Sequence, residues 1–167
     1  MNSQTQSELA KNAHCTDEAG DADDGGVPVE YQLDQQIGYL LRLANQRHLE
    51  IFSAAMPNLT PTQFSMLARL CEVGELSQNE LGRRIGIDAA TTNGVIDRLT
   101  RKGFTQSSAD AADKRRLLIS LTEAGQRTVA AAMPIAKKIT QTTLGNLSSS
   151  ESQELCRLLQ KLQQDAD

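Results

Sequence analysis

The sequence predicts a mainly helical domain that carries one small β-hairpin. Three observations lead there. Apolar residues recur at helical spacing from Leu33 to about Leu99. The spacing then changes to alternation across "FTQSS" and "RLLISL", with the loop-like "ADAADKR" between them. Helical spacing resumes after Thr122 and runs to Leu155, Leu158, Leu159 and Leu162.

Each element has a local reason. Leu33, Ile37, Leu40, Leu41, Ala44, Ile51, Phe52 and Ala55 share one helix face, and Pro57 ends that helix. "TPTQ" opens a second helix, with Thr60 as N-cap, Pro61 at the first helical position and Gln63 completing a capping box. Phe64, Leu67, Ala68, Leu70 and Cys71 make it amphipathic, and Gly74 stops it. "SQNE" (Ser77 to Glu80) predicts another capping box and a short third helix, broken by Gly86. Asp88 caps a fourth helix with Val95, Ile96 and Leu99 inward, and Gly103 closes it. Thr122 caps a long fifth helix to about Leu144, kinked at Pro134. "SSSE" (Ser148 to Glu151) caps the last.

Charge is unevenly placed. The net charge is −4, yet residues 1–30 hold one lysine and seven acids, whereas 83–116 hold eight basic residues and four acids. The first segment is too polar to offset its ordering entropy and reads as a disordered acidic tail. The second is a local basic field, and it is the local field that an anionic partner meets. No apolar run is long enough to span a membrane, and the N-terminus lacks the apolar segment of a secretory signal. Cys15, Cys71 and Cys156 are few, scattered and odd in number, as in a reduced, cytoplasmic protein. With two histidines, no legible nucleophile–base pairing and no metal-ligand spacing, neither enzyme chemistry nor a cofactor is expected.

The third and fourth helices, joined by "IGID", make a helix–turn–helix. The fourth begins "DAATTNGVIDRL", so Thr91, Thr92 and Asn93 stand at its start and Arg98 a turn later. Small polar residues at that place suit a recognition helix in the major groove of double-stranded DNA. The hairpin after it would be a wing. Its "DKRR" offers Arg115 to the negative potential of the minor groove, Asp113 to hold the Arg115 guanidinium, and Lys114 and Arg116 to phosphates.

"LGRRIGIDAATTNGVIDRLTRKGF" followed by "DAADKRRLLISLTEAG" resembles the MarR family of winged helix–turn–helix regulators. The family's wing signature, Asp-x-Arg, four residues, then Leu-Thr, is matched by Asp113, Arg115, Leu121 and Thr122, and Gly125 completes "LT-x-x-G". The uncharged "GFTQSS" departs from members with an Arg or Glu–Arg there, which shifts phosphate contacts toward Arg83, Arg84, Arg98 and Arg101. The resemblance implies a winged unit over about 60–122 and dimerisation helices over about 33–56 and 123–165, within a domain of 31–167. It implies an obligate homodimer on a pseudo-palindromic operator. The outer helices agree, since they carry more apolar residues than one small core needs.

His48 lies on the apolar face of the first helix, where a core histidine is the plain reading. The family often binds small aromatic acids between dimerisation helices and DNA-binding lobe. In its branch sensing aromatic or nicotinate-type acids, an Arg and a His six apart on the first helix hold the carboxylate. Arg42 and His48 have that spacing, but six residues turn about 120° around a helix, so Arg47 is the alternative. Phe52 and Gln63 are candidates for stacking and a polar contact. The expected function is therefore a repressor released by a small aromatic carboxylate. The competing reading is a thiol sensor on the same fold, against which Cys71 and Cys156 are expected to be inert core thiols.

Overall fold

The computed structural model describes residues 31–164 apart from 112 and 114. The expected acidic tail 1–30 with Cys15, and Lys114 of the wing, lie outside the described residues. Six helices and three short strands follow one another in the order expected, with one addition. After a 3-10 turn at Leu33–Gln35 comes α1 (Ile37–Ala55), which starts four residues later than its apolar face suggested. α2 (Pro61–Val73) has the full capping box: the Gln63 N–H donates to Thr60 Oγ1 and the Thr60 N–H to Gln63 Oε1, both at 3.2 Å. Gly74 closes it at φ 88°, a left-handed conformation that suits glycine.

The addition is β1 (Leu76–Ser77), two residues that pair with the wing. α3 (Gln78–Ile85) follows directly, so Ser77 is both strand residue and N-cap, accepting from the Glu80 N–H at 3.4 Å. The expected capping box there is only half made. Glu80 turns its carboxylate toward Arg83 and Arg84 instead of back to Ser77. Next come α4 (Ala89–Arg101), β2 (Thr105–Ala109) and β3 (Leu117–Leu121). β3 is the middle strand of an antiparallel sheet ordered β1-β3-β2, in which Ile119 pairs with Leu76 on one side and Ser107 on the other. α5 (Glu123–Thr143) runs continuously through Pro134, and α6 (Ser149–Leu162) has the complete Ser148–Glu151 capping box.

The core joins these elements. Met66 and Leu67 of α2, Leu81 of α3, Leu99 of α4 and Val129 of α5 are fully buried, with Phe52 of α1 and Ile119 of β3 packed among them. α6 buries none of its residues, and Leu33 of the 3-10 turn and Ile37, Leu40 and Leu41 in the first half of α1 are exposed. Cys71 and Cys156 are both exposed, which corrects the expectation of core thiols: each lies on a helix face that this chain does not itself cover.

"LT-x-x-G" has a mechanical explanation. The Thr122 hydroxyl donates to the Gly103 carbonyl at 2.6 Å and accepts from the Gly125 N–H at 3.1 Å. The Thr122 N–H donates to the Phe104 carbonyl at 3.1 Å. One residue thereby caps α5 and fixes it to the end of α4. Gly125 is needed because a Cβ there would overlap the Phe104 carbonyl. Gly125→Ala is expected to cost at least about 1–3 kcal/mol of stability, since the obstacle is backbone and cannot step aside. Gly38, with open space around it, is the control. Gly38→Ala, in the first turn of α1, is expected to be neutral or to stabilise by no more than about 0.5–1 kcal/mol. Thermal melts of the two variants in parallel check both signs.

Candidate functional site

The α3–α4 pair crosses tightly. A Cβ on Gly82 would come within 2.5 Å of Thr92 Oγ1, so glycine there lets Thr92 seat in the crossing. Thr92 is 1% exposed, and its hydroxyl donates to the Asp88 carbonyl at 2.8 Å. That corrects its expected role as a base contact: Thr92 is a packing residue of the helix–turn–helix. Thr91 is exposed and donates to the Asp88 carboxylate, from its hydroxyl at 2.6 Å and from its backbone at 2.9 Å. Those bonds, the hydroxyl's first, hold the Asp88 carboxyl below its usual range. Because the folded value is depressed, the cap contributes at neutral pH and is lost as pH falls through the folded value.

Asn93, Asp97 and Arg98 are exposed on the same stretch of α4. The Arg98 guanidinium lies along Gly94, with Nη1 3.5 Å from where a Cβ would stand. An amide and a guanidinium so placed offer paired donors and acceptors to base edges and charge to phosphates. Asn93→Ala is expected to relax specificity, costing about 1–3 kcal/mol on the preferred sequence. Arg98→Ala is expected to weaken all sequences alike and reduce the salt slope by about one. Titrations of operator and random duplex at several salt concentrations distinguish the two patterns.

The wing tip is held by its backbone. The Asp110 N–H donates to the Arg116 carbonyl and the Arg116 N–H to the Asp113 carbonyl, both at 2.9 Å. The Asp113 carboxylate accepts the Arg115 backbone N–H at 3.0 Å, rather than its guanidinium as expected. Asp113 therefore shapes the loop from which Arg115 projects. Arg116 differs from expectation too. Its Nη2 donates to Ser77 Oγ at 3.0 Å and its Nε stands 3.9 Å from Asp110, so it ties wing to β1. Arg115 is exposed, with no side-chain hydrogen bond or ion pair among the described residues. Between the wing and the start of α3 lies an open groove of about 590 Å³, lined by Arg83, Arg115 and Arg116 together with Asn79, Glu80 and Asp113.

A second constellation sits where α1 meets α5. His48 Nδ1 is 3.0 Å from Thr143 Oγ1. The Thr143 hydroxyl gives its one hydrogen to the Ile139 carbonyl at 2.8 Å, so His48 Nδ1–H is the donor. Nε2 has no protein partner among the described residues. The ring leans on Phe52, which leans on Phe64, each pair tilted with centroids 6.2 Å apart. Phe52 is 4% exposed, so it forms a floor beneath His48 rather than an open stacking face. Arg42 and Arg47 are exposed, and the Arg42 guanidinium lies over Tyr39, 5.1 Å from its centroid. Gln63 is buried and engaged: Oε1 takes the Thr60 N–H and Lys102 Nζ at 3.3 Å. Of the five effector candidates, His48 and Phe52 touch, while Gln63 belongs to another network.

That network escaped the sequence. Lys102, the C-cap of α4, reaches the Asn58 carbonyl at 2.9 Å as well as Gln63. It binds the end of α4 to the α1–α2 connection. Its partners are 44 and 39 residues away, so no local pattern could disclose it.

Comparison with known proteins agrees with this arrangement. A profile of the MarR family matches residues 59–117. The HTH-type transcriptional repressor NicR of Pseudomonas putida is 37% identical over 134 residues, which cover 79% of this chain and 85% of that one. The crystal structure of a probable transcriptional regulator from Pseudomonas aeruginosa is 46% identical and has a TM-score of 0.77, covering 78% of this chain and 99% of the other. BpsR of Bordetella bronchiseptica, whose DNA binding is regulated by 6-hydroxynicotinic acid, is 40% identical with a TM-score of 0.78 over 82% of this chain and 99% of its own. With a helix–turn–helix, an arginine-tipped wing and relatives of this similarity along most of its length, the chain belongs to the MarR family of transcriptional regulators.

Proposed function

We propose that the protein is a homodimeric repressor, released from a pseudo-palindromic operator by a small aromatic carboxylate of the nicotinate class. The observation that carries the effector half is His48, anchored to Thr143 through one nitrogen, with the other unpartnered among the described residues, above a Phe52–Phe64 floor. An imidazole beside an aromatic wall suits a planar acid, and Arg42 or Arg47 supplies the guanidinium for its carboxylate. The likeness to NicR and BpsR supports the same class of effector.

The dimer half rests on unburied apolar surface. Leu155, Leu158 and Leu147 line an apolar groove along α6, and Leu33 before α1 and Ile37, Leu40 and Leu41 on it stand open. A second copy covers both and sets two recognition helices in successive major grooves, with half-sites about 10 base pairs apart. Thr91, Asn93 and Arg98 then face the major groove and Arg115 the minor groove.

Release requires that the acid prefer the arrangement that does not fit DNA. The path is short: the effector seat is on α1 near its C-terminus, and the α1–α2 connection holds Lys102 at the end of α4. A ligand that shifts α1 on α5 moves that connection, and with it the spacing of the two recognition helices.

The test is a thermal-shift screen of aromatic acids followed by operator-release titration. The account expects pyridine or benzene carboxylates to raise the melting temperature and dissociate the complex. Acids that do neither, with peroxide releasing the DNA and Cys71→Ser or Cys156→Ser abolishing that release, would establish the thiol-sensor reading instead.

A further inference from the structure

We infer that Glu80 is a specificity-determining residue that suppresses binding to random DNA by masking Arg83 and Arg84. One carboxylate serves two guanidiniums on α3. Glu80 Oε1 accepts from Arg84 Nε at 2.6 Å, and Oε2 pairs with Arg83. The carboxylate side chain is 20% exposed, whereas Arg83 is 78% exposed. Arg83 and Glu80 line the same groove as Arg115 and Arg116, between the wing and the start of α3. In a helix–turn–helix the first helix crosses the phosphate backbone. A carboxylate at that crossing opposes DNA binding, so affinity does not explain it.

Stability does not explain it either. Exposed pairs of this kind contribute little. Nor is Glu80 needed as a cap partner, for its side chain has left Ser77. What the fork does is set a carboxylate charge against two guanidiniums on the face that a duplex attracts without regard to sequence, which lowers that attraction. Random DNA is held by phosphate contacts alone, so masking two arginines removes a large share of its attraction. Operator DNA has its register fixed by Asn93 and Arg115, and the α3 arginines stay on Glu80 there. The mask therefore widens the ratio between the two affinities, which is what a genome full of competing sites demands.

The inference rests on the reading of the α3–wing face as DNA-facing, and the experiment separates the two. Glu80→Gln keeps a residue favoured at the third position of a helix, and a thermal melt confirms folding. Binding to a random duplex is measured from low to moderate salt. Each arginine released to a phosphate adds about 0.9 to the magnitude of the slope of log K against log salt. Glu80→Gln is expected to steepen the random-duplex slope by about one to two, tighten random binding several-fold, and tighten operator binding less. Arg83→Gln with Arg84→Gln is expected to change the random-duplex slope little in the wild-type background and to reverse the steepening in the Glu80→Gln background. An unchanged slope, equal tightening on operator and random duplex, or additivity of the arginine changes would overturn the role of Glu80 while leaving the DNA-binding face intact. A wild-type protein that binds no operator would overturn both.

Discussion

Arg115→Ala is expected to weaken operator binding roughly ten- to hundredfold, the range for losing one specific side-chain contact, with little change in melting temperature. The separation of the two effects follows from the structure. The tip is shaped by backbone bonds, Asp110 to Arg116 and Arg116 to Asp113, and by the Asp113 carboxylate on the Arg115 N–H. None of them uses the Arg115 side chain, which is exposed. Removing it deletes the proposed minor-groove contact and nothing that folds the wing. Arg115→Lys keeps the charge without the planar fork and is expected to fall between. Asp113→Ala is expected to weaken binding less, because it loosens the loop beneath Arg115 rather than removing the contact. Arg116→Ala is expected to behave differently from all three: it loses the bond to Ser77, so its effect appears in the melt as well as in binding. Anisotropy titrations with matched thermal melts check the set.

His48→Ala is expected to keep operator affinity within about twofold and to raise the effector concentration for release by roughly ten- to hundredfold, the worth of a hydrogen bond to a charged group. His48 is far from the DNA-facing residues in the chain, and its bond is to Thr143, 95 residues on, at the end of α5. Thr143→Val probes the anchor separately. It keeps the imidazole but frees its orientation, so a smaller loss of response is expected. The two arginines decide how the carboxylate is held. Loss of response in Arg42→Ala means the acid draws Arg42 from its place over Tyr39. Loss in Arg47→Ala means that the face shared more closely with His48 supplies the charge. Effector-release titrations on all four variants, beside their operator affinities, separate sensing from DNA binding.

Much of the fold was legible because this chain marks its helix starts with side-chain caps. Thr60, Asp88, Thr122 and Ser148 each accept the backbone N–H three residues on, and all four are visible as local spacing. β1 was not legible: two residues carry no alternation, and only pairing with Leu118 and Ile119 makes them a strand. Thr92 was misplaced because a polar residue on an otherwise polar stretch looks solvated. Its burial depends on Gly82 of the neighbouring helix, a tertiary fact. At the wing the charged tip was legible, but its partners were not. Asp113 prefers a backbone N–H two residues away to a guanidinium, and Arg116 finds a serine 39 residues upstream. His48 was legible as an anomaly on an apolar face, and its partner Thr143 was not. The exposure of Cys71 and Cys156 was unreadable because periodicity shows which face is apolar, and not whether this chain or another covers it.

The most direct measurement of the central claim is a hydroxyl-radical footprint on the operator, with and without a pyridine carboxylate. The account predicts two symmetric protected patches with centres about 10 base pairs apart, flanked by wing-protected minor groove, all vanishing together as the acid is added. A single asymmetric patch, or a symmetric footprint that no aromatic acid disturbs while peroxide removes it, would contradict a dimeric repressor released at His48.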